Sequence, residues 1–194
     1  MYSLIRRIAR FIFKTHGWKL IGEIPKEVNR CVFVFAPHTS NWDFYHGKMC
    51  MTGWGVPMKA AIKNFWTKFP FGLIIKPLGG VGIDRSKKEY KGAKGQVKMM
   101  ANLFKRTDQM ALVITPEGSR SRRDVWKTGF YHIAREAGVP IVVFKGDFFK
   151  KEIEFGPVYT GDEDLETIMR GMMEFYKDVQ GRHPENFALD KRYV

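Results

Sequence analysis

Cys31 to Phe35 reads Cys-Val-Phe-Val-Phe, five apolar residues of the strand-forming kind, and the run ends at Ala36-Pro37. A stretch this short and this continuously apolar is that of a strand covered on both faces. Further short apolar runs cover Met58 to Ile62, Met110 to Ile114 and Pro140 to Phe144, and two weaker ones, Trp18 to Ile24 and Glu152 to Tyr159, read as extra strands. Helical patterns lie between and after them, over Trp42 to Met51, Lys88 to Arg106, Phe130 to Ala137 and Asp164 to Val179, with a broken helix over Asn64 to Ile75, where Pro70 and Gly72 interrupt it. Strands that alternate with helices define an α/β fold: a single domain with a largely parallel or mixed central sheet flanked by helices. The stripe Leu165, Ile168, Met172, Phe175 and Val179 reads as core.

Polar clusters follow the apolar runs at residues 38–43, 82–85 and 116–120. In such folds the strand ends on one edge of a sheet converge in space, and the chemistry collects there. The first cluster, His38-Thr39-Ser40-Asn41-Trp42-Asp43, pairs an imidazole with a carboxylate. Imidazole is the usual base near neutral pH, and a carboxylate fixes its tautomer and stabilises the imidazolium. Five steps along a straight helix would set the two side chains about 140° apart. They can face each other only if His38 precedes the helix, which Ser40 or Asn41 would cap, or if the first turn of that helix is irregular. The second cluster, Gly79-Gly80-Val81-Gly82-Ile83-Asp84-Arg85, combines tight-turn glycines with a guanidinium suited to phosphate, and matches neither a dinucleotide fingerprint nor a Walker loop. In the third, Thr115 to Arg123, Glu117 is an acceptor for hydroxyl or arginine, Gly118 permits a sharp turn, and Arg120 is a further anion site.

The 194 residues suit one domain, and their net charge of +13 calls for an acidic partner: nucleic acid, an anionic membrane surface, or an acidic carrier or phosphorylated substrate. Leu4, Ile8 and Phe11 share a helical face, flanked by Ile5 and Ile12, while Arg7, Arg10 and Lys14 fall on another. Residues 1–17 thus read as a basic amphipathic helix lying in a membrane surface, with Trp18 placed to reach the headgroups, ahead of a domain over 18–194. No run of about 20 apolar residues is present to span a bilayer, and Arg6, Arg7 and Arg10 break any signal-peptide pattern. Cys31 and Cys50 give no disulfide framework, which points to a reducing, intracellular setting.

Four blocks in order carry a family resemblance: His38-x4-Asp43, Gly82-Ile83-Asp84-Arg85, Pro116-Glu117-Gly118-Ser119-Arg120-Ser121 and Val139-Pro140-Ile141. Over roughly residues 18 to 160 the chain resembles the glycerolipid acyltransferases typified by lysophosphatidic acid acyltransferase. The resemblance implies His38 as general base on an acceptor hydroxyl, Asp43 as its orienting partner, and Arg85 and Arg120 as binders of an anionic headgroup. Glu117, Gly118 and Ser119 would line the acceptor site. The co-substrate would be a fatty acyl thioester on acyl carrier protein or coenzyme A, with no other cofactor and no metal, and the acceptor a lyso-glycerophospholipid such as lysophosphatidic acid. The implied location is peripheral, at the cytoplasmic face of a membrane. The chain departs from the family pattern at Pro37, Gly82, Thr115 and Val143, which leaves room for an amino- or ornithine-type lyso-lipid.

Three competing readings account for less of the sequence. A metal hydrolase would draw on His38, Asp43 and His46, but the sequence identifies no further protein ligand and no supporting shell. Nucleic-acid binding finds no recognition motif, and the aromatic residues are not interleaved with Lys and Arg. A non-catalytic basic protein of lipid surfaces would tolerate loss of His38.

Overall fold

The computed structural model describes residues 2–83 and 90–194, and of Tyr2 only its backbone. Among the described residues, six α-helices and seven strands follow one another, mostly in alternation. These are α1 (Tyr2–Thr15), β1 (Lys19–Ile21), β2 (Arg30–Ala36), α2 (Asn41–Trp54), β3 (Met58–Lys63), α3 (Gly72–Ile75), β4 (Gly80–Ile83), α4 (Gly92–Ala101), β5 (Met110–Ile114), α5 (Gly129–Ala137), β6 (Ile141–Asp147), β7 (Glu152–Tyr159) and α6 (Leu165–Tyr176). They form one seven-stranded sheet in the order β1-β7-β6-β2-β5-β3-β4. β2 pairs in parallel with β5 and β6, and β3 with β5 and β4; the β6–β7 pair is antiparallel.

The five apolar residues from Cys31 sit at the centre of this sheet. Side chains alternate across a strand, so Val32, Val34 and Ala36 enter a core shared with α4, α5 and α6, while Cys31, Phe33 and Phe35 enter a second one under α1 and α2. The α6 stripe is core as expected: Ile168 and Met172 are fully buried. Tyr176 at the end of α6 donates its hydroxyl hydrogen between the carbonyls of Val34 (3.2 Å) and Phe144 (3.1 Å), which ties that helix to the two central strands.

The N-terminal helix forms where its pattern puts it but docks differently from a simple amphipathic helix. Its apolar face, Leu4, Ile5, Ile8 and Phe11, is exposed. It is the opposite side that packs on α2: Phe13 is fully buried against Trp54, and Arg10 donates from Nε to the Gly53 carbonyl at 2.6 Å with its guanidinium over the Trp54 ring. A Cβ on Gly53 would lie 2.8 Å from Arg10 Cγ, so only glycine allows this approach. Trp18 does not reach outward as the sequence suggested. It is buried, stacked on His46 with ring centroids 4.5 Å apart and edge-on to Phe148, because the short strand β1 carries it into the core under α2. Among the described residues, no helix is long and apolar enough to cross a membrane.

Candidate active site

The C-terminal ends of the parallel strands β2 and β5 deliver two loops to the same edge. From β2 the chain passes through Pro37, His38 and Thr39 into α2, whose N-cap is Ser40. Asp43, at the third helical position, reaches back: its Oδ2 accepts the N–H of Thr39 at 2.6 Å and of Ser40 at 2.7 Å, completing a capping box. The same oxygen lies 3.4 Å from His38 Nδ1. The five-residue spacing is therefore resolved by a histidine outside the helix and an aspartate that points backward along it. With Nδ1 held toward the carboxylate, Nε2 is the nitrogen left on the open edge of the ring. The Asp43 side chain is fully shielded from solvent while that of His38 is partly exposed, and Asp43 Oδ1 has no hydrogen-bond partner among the described residues.

The β5 loop supports the first. Glu117 is 3% exposed, and its carboxyl accepts the His38 backbone N–H at 2.9 and 3.1 Å through its two oxygens. Burial pushes its pKa up to about 8, with Asp43 adding in the same direction and the His38 N–H opposing. A neutral Glu117 thus holds the histidine backbone in place near pH 7 without adding a second negative charge beside the imidazole. Gly118 turns the chain at φ 67°, and a Cβ there would lie 2.8 Å from Lys127 Nζ, so the glycine leaves room for that ammonium. Ser119 is spent on its own loop, exchanging hydrogen bonds with the backbone of Ser121. Arg120 crosses to the first loop and donates to Asn41 Oδ1. The expected constellation of His38, Asp43, Glu117, Gly118 and Arg120 is brought together; Arg85 lies outside the described residues.

A third segment joins them that sequence reasoning missed. After α6 the chain runs back across the histidine loop: the His183 N–H donates to Thr39 Oγ1 at 3.2 Å, and the Arg182 guanidinium lies over the Trp42 ring, 5.3 Å from its centroid. Gly181 fits against Thr39 and Pro37 only because it lacks a Cβ, which would meet Thr39 Oγ1 at 2.8 Å. The tail beyond is anchored by Asp190, fully buried, which accepts the Trp126 N–H at 2.8 Å. His46 belongs to a different cluster. Its Nδ1 meets the Trp42 carbonyl at 3.0 Å and its ring stacks on Trp18. Burial lowers its pKa. Among the described residues no three His, Cys, Asp or Glu side chains are grouped to hold a metal ion.

Beneath His38 is a small cavity of about 40 Å³, walled by Phe35, Phe44, Met58, Val113 and Phe144. A much larger groove of about 770 Å³ lies between α4 and α5, lined by Lys94, Lys98, His132 and Arg135, and none of the strand-end groups reaches it. The arrangement at the strand ends can accept a proton at Nε2 beside an apolar recess, with guanidinium groups at the rim.

A family model described as Acyltransferase matches residues 20–144. The fold is similar to that of the 1-acyl-sn-glycerophosphate (LPA) acyltransferase PlsC from Thermotoga maritima, known from its crystal structure. The two are 16% identical, the match covers 91% of this chain and 75% of that one, and the TM-score is 0.52. No curated protein sequence matches this chain.

Proposed function

Because the chain belongs to the acyltransferase family, we propose that it moves a fatty acyl group from a thioester to the hydroxyl of a lyso-glycerophospholipid such as lysophosphatidic acid. One observation carries this reading: His38 Nδ1 faces the shielded Asp43 carboxylate at the exit of a central strand, leaving Nε2 available as a base.

The thioester carbonyl is already activated, so the work left to the protein is to deprotonate an alcohol, align it and stabilise charge. The acceptor O–H proton passes to His38 Nε2 as the oxygen attacks the carbonyl carbon. Asp43 stabilises the imidazolium. The tetrahedral oxyanion collapses, the C–S bond breaks, and the departing sulfur takes the proton back from Nε2 as a thiol. No side-chain nucleophile is needed. The Phe35, Phe44 and Phe144 recess offers apolar contacts for acyl carbons near the carbonyl. Arg120 at the rim, with Arg85 as a second expected cation, suits the acceptor's phosphate. The acidic carrier, acyl carrier protein or coenzyme A, suits the net charge of +13.

We place residues 1–17 on an anionic membrane surface at its cytoplasmic side, with 18–194 as the acyltransferase domain. The exposure of Leu4, Ile8 and Phe11 supports that location, since a helix packed only on its own domain would bury them. His38→Ala is the test of the chemistry. It should abolish acyl transfer from acyl carrier protein or coenzyme A thioesters to lyso-lipids while leaving thermal unfolding and vesicle binding near wild type. Turnover within tenfold of wild type would sink the base assignment.

A further inference from the structure

The segment between β3 and β4 exposes more large apolar side chains than any other stretch of this length among the described residues. Phe69 is 84% exposed, Leu73 70% and Ile74 67%, and Phe65, Trp66 and Phe71 stand beside them. The three aromatic rings of Phe65, Trp66 and Phe71 pack on one another, with centroids 5.0–5.8 Å apart, so the cluster is built and not a set of stray side chains. Gly72 closes the turn: a Cβ there would lie 2.3 Å from the Thr67 carbonyl oxygen. Apolar surface gathered this way marks an interaction site.

Charge decides what it meets. From Phe44 to Ile83 the sequence holds no aspartate or glutamate, but it holds Lys48, Lys59, Lys63, Lys68 and Lys76. Lys63, Lys68 and Lys76 are exposed around the apolar cluster. Aromatic and aliphatic groups ringed by ammonium groups fit the boundary of a bilayer that carries anionic headgroups, where rings sit at headgroup level and lysines meet phosphate. A bilayer of this kind takes up both halves of the surface at once, the lysines at its phosphates and Phe69, Leu73 and Ile74 in its acyl boundary.

Register decides what this contact is for. Ala60 and Phe33 both pair with Val113, so Lys63 ends β3 level with Ala36, the last residue of β2. The two strands are separated only by β5, about 10 Å across the sheet. The aromatic segment therefore leaves the sheet along the edge from which His38 emerges. We propose that residues 63–76 are a second membrane contact, distinct from α1, which inserts Phe69, Leu73 and Ile74 into an anionic bilayer and brings the His38 edge down to the headgroups. A lyso-lipid could then reach the base without leaving the membrane. The proposal rests on the membrane-surface reading above.

The test uses the full chain and vesicles without acyl donor, so its result does not depend on whether acyl transfer is observed. Partitioning is measured by titration with phosphatidylcholine vesicles, with and without phosphatidylglycerol. The triple variant Phe69→Ser/Leu73→Ser/Ile74→Ser should fold normally, because these side chains are exposed, and should lose about tenfold or more in partitioning. Lys63→Gln/Lys68→Gln/Lys76→Gln should lose affinity only for the phosphatidylglycerol vesicles. Quenching by lipids brominated in the acyl chain should be weaker in Trp66→Phe than in wild type. Unchanged partitioning of the serine variant would overturn the proposal. So would a wild-type dimer in sedimentation velocity that the serine variant dissolves with no change in vesicle binding, which would assign the surface to a second copy of the chain.

Discussion

Asp43 serves the helix and the histidine with one oxygen: its Oδ2 accepts the Ser40 N–H at 2.7 Å and stands 3.4 Å from His38 Nδ1. The capping box fixes the carboxylate before any substrate arrives, so the orientation of the imidazole is inherited from the fold of the helix start.

Asp43→Asn separates those two duties. The amide oxygen can still accept backbone N–H groups, but the charge that stabilises the imidazolium is gone. The turnover number should fall by about 10²-fold or more, while a partly kept cap limits the loss of stability to about 1 kcal/mol. Asp43→Ala should lose both. Steady-state kinetics and thermal unfolding of the two variants check this; equal activity of Asp43→Asn and wild type would remove the carboxylate from the mechanism.

Glu117 makes stability depend on pH in a direction opposite to that of an ordinary salt-bridged carboxylate. Its folded pKa is raised from 4.5 to about 8 by burial. Between those values the folded chain holds a proton that the unfolded chain has lost. This contribution is complete below about pH 4.5, declines as pH rises, and is gone above about pH 8. The decline is at most about 1.4 kcal/mol per pH unit, or roughly 3–5 °C in Tm for a chain of this length. Glu117→Gln keeps a neutral acceptor for the His38 N–H and has no proton to lose. The difference in Tm between wild type and Glu117→Gln should therefore widen from pH 5 to pH 8 in favour of the variant. Parallel Tm profiles would mean that the carboxyl is ionised in the fold.

Much of this site is local in sequence. The exit of a buried strand, the N-cap serine and the backward-pointing aspartate occupy seven consecutive residues, Pro37 to Asp43, so hydrophobic pattern and capping chemistry reveal them. The Pro116-Glu117-Gly118 turn is equally visible after β5, although the bond from Glu117 to the histidine backbone is not, since it depends on β2 and β5 being neighbours. Arg182 and Gly181 carry no local signal. They reach Trp42 and Thr39 from about 140 positions away, through a tail of no regular pattern. The N-terminal helix shows the other limit. Its apolar face was visible, but amphipathicity alone cannot tell a face that packs from one that stays exposed, and here Arg10 against Gly53 makes the choice.

Gly181→Ala tests whether that distant strap matters. The added methyl would press on Thr39 Oγ1 at 2.8 Å, Thr39 Cγ2 at 3.0 Å and Pro37 Cβ at 3.1 Å. Overpacking of this kind costs about 1–3 kcal/mol, and the strain falls on the residues that flank His38. Stability should drop modestly, and kcat should drop by more than the fraction of unfolded protein explains. A variant with lowered Tm and unchanged kcat would make the strap purely structural.

Arg120 and Asn41 bear on the acceptor's chemistry. Asn41 accepts from the guanidinium and holds it over the first turn of α2, one residue from the cap and three from His38. If Arg120 binds the acceptor's phosphate, Arg120→Ala removes a charge-assisted hydrogen bond, worth about 1.5–3 kcal/mol, and should raise KM for a phosphorylated lyso-lipid by roughly 10–100-fold with kcat little changed. Asn41→Ala keeps the charge and frees the side chain, so its KM should rise by a smaller factor. Neither variant should affect an acceptor whose headgroup carries no anion. Comparable losses on both kinds of acceptor would show that Arg120 acts through the histidine loop instead of on the headgroup, and the phosphate would then be sought at the expected Arg85 or, among the described residues, at Lys127 and Arg182.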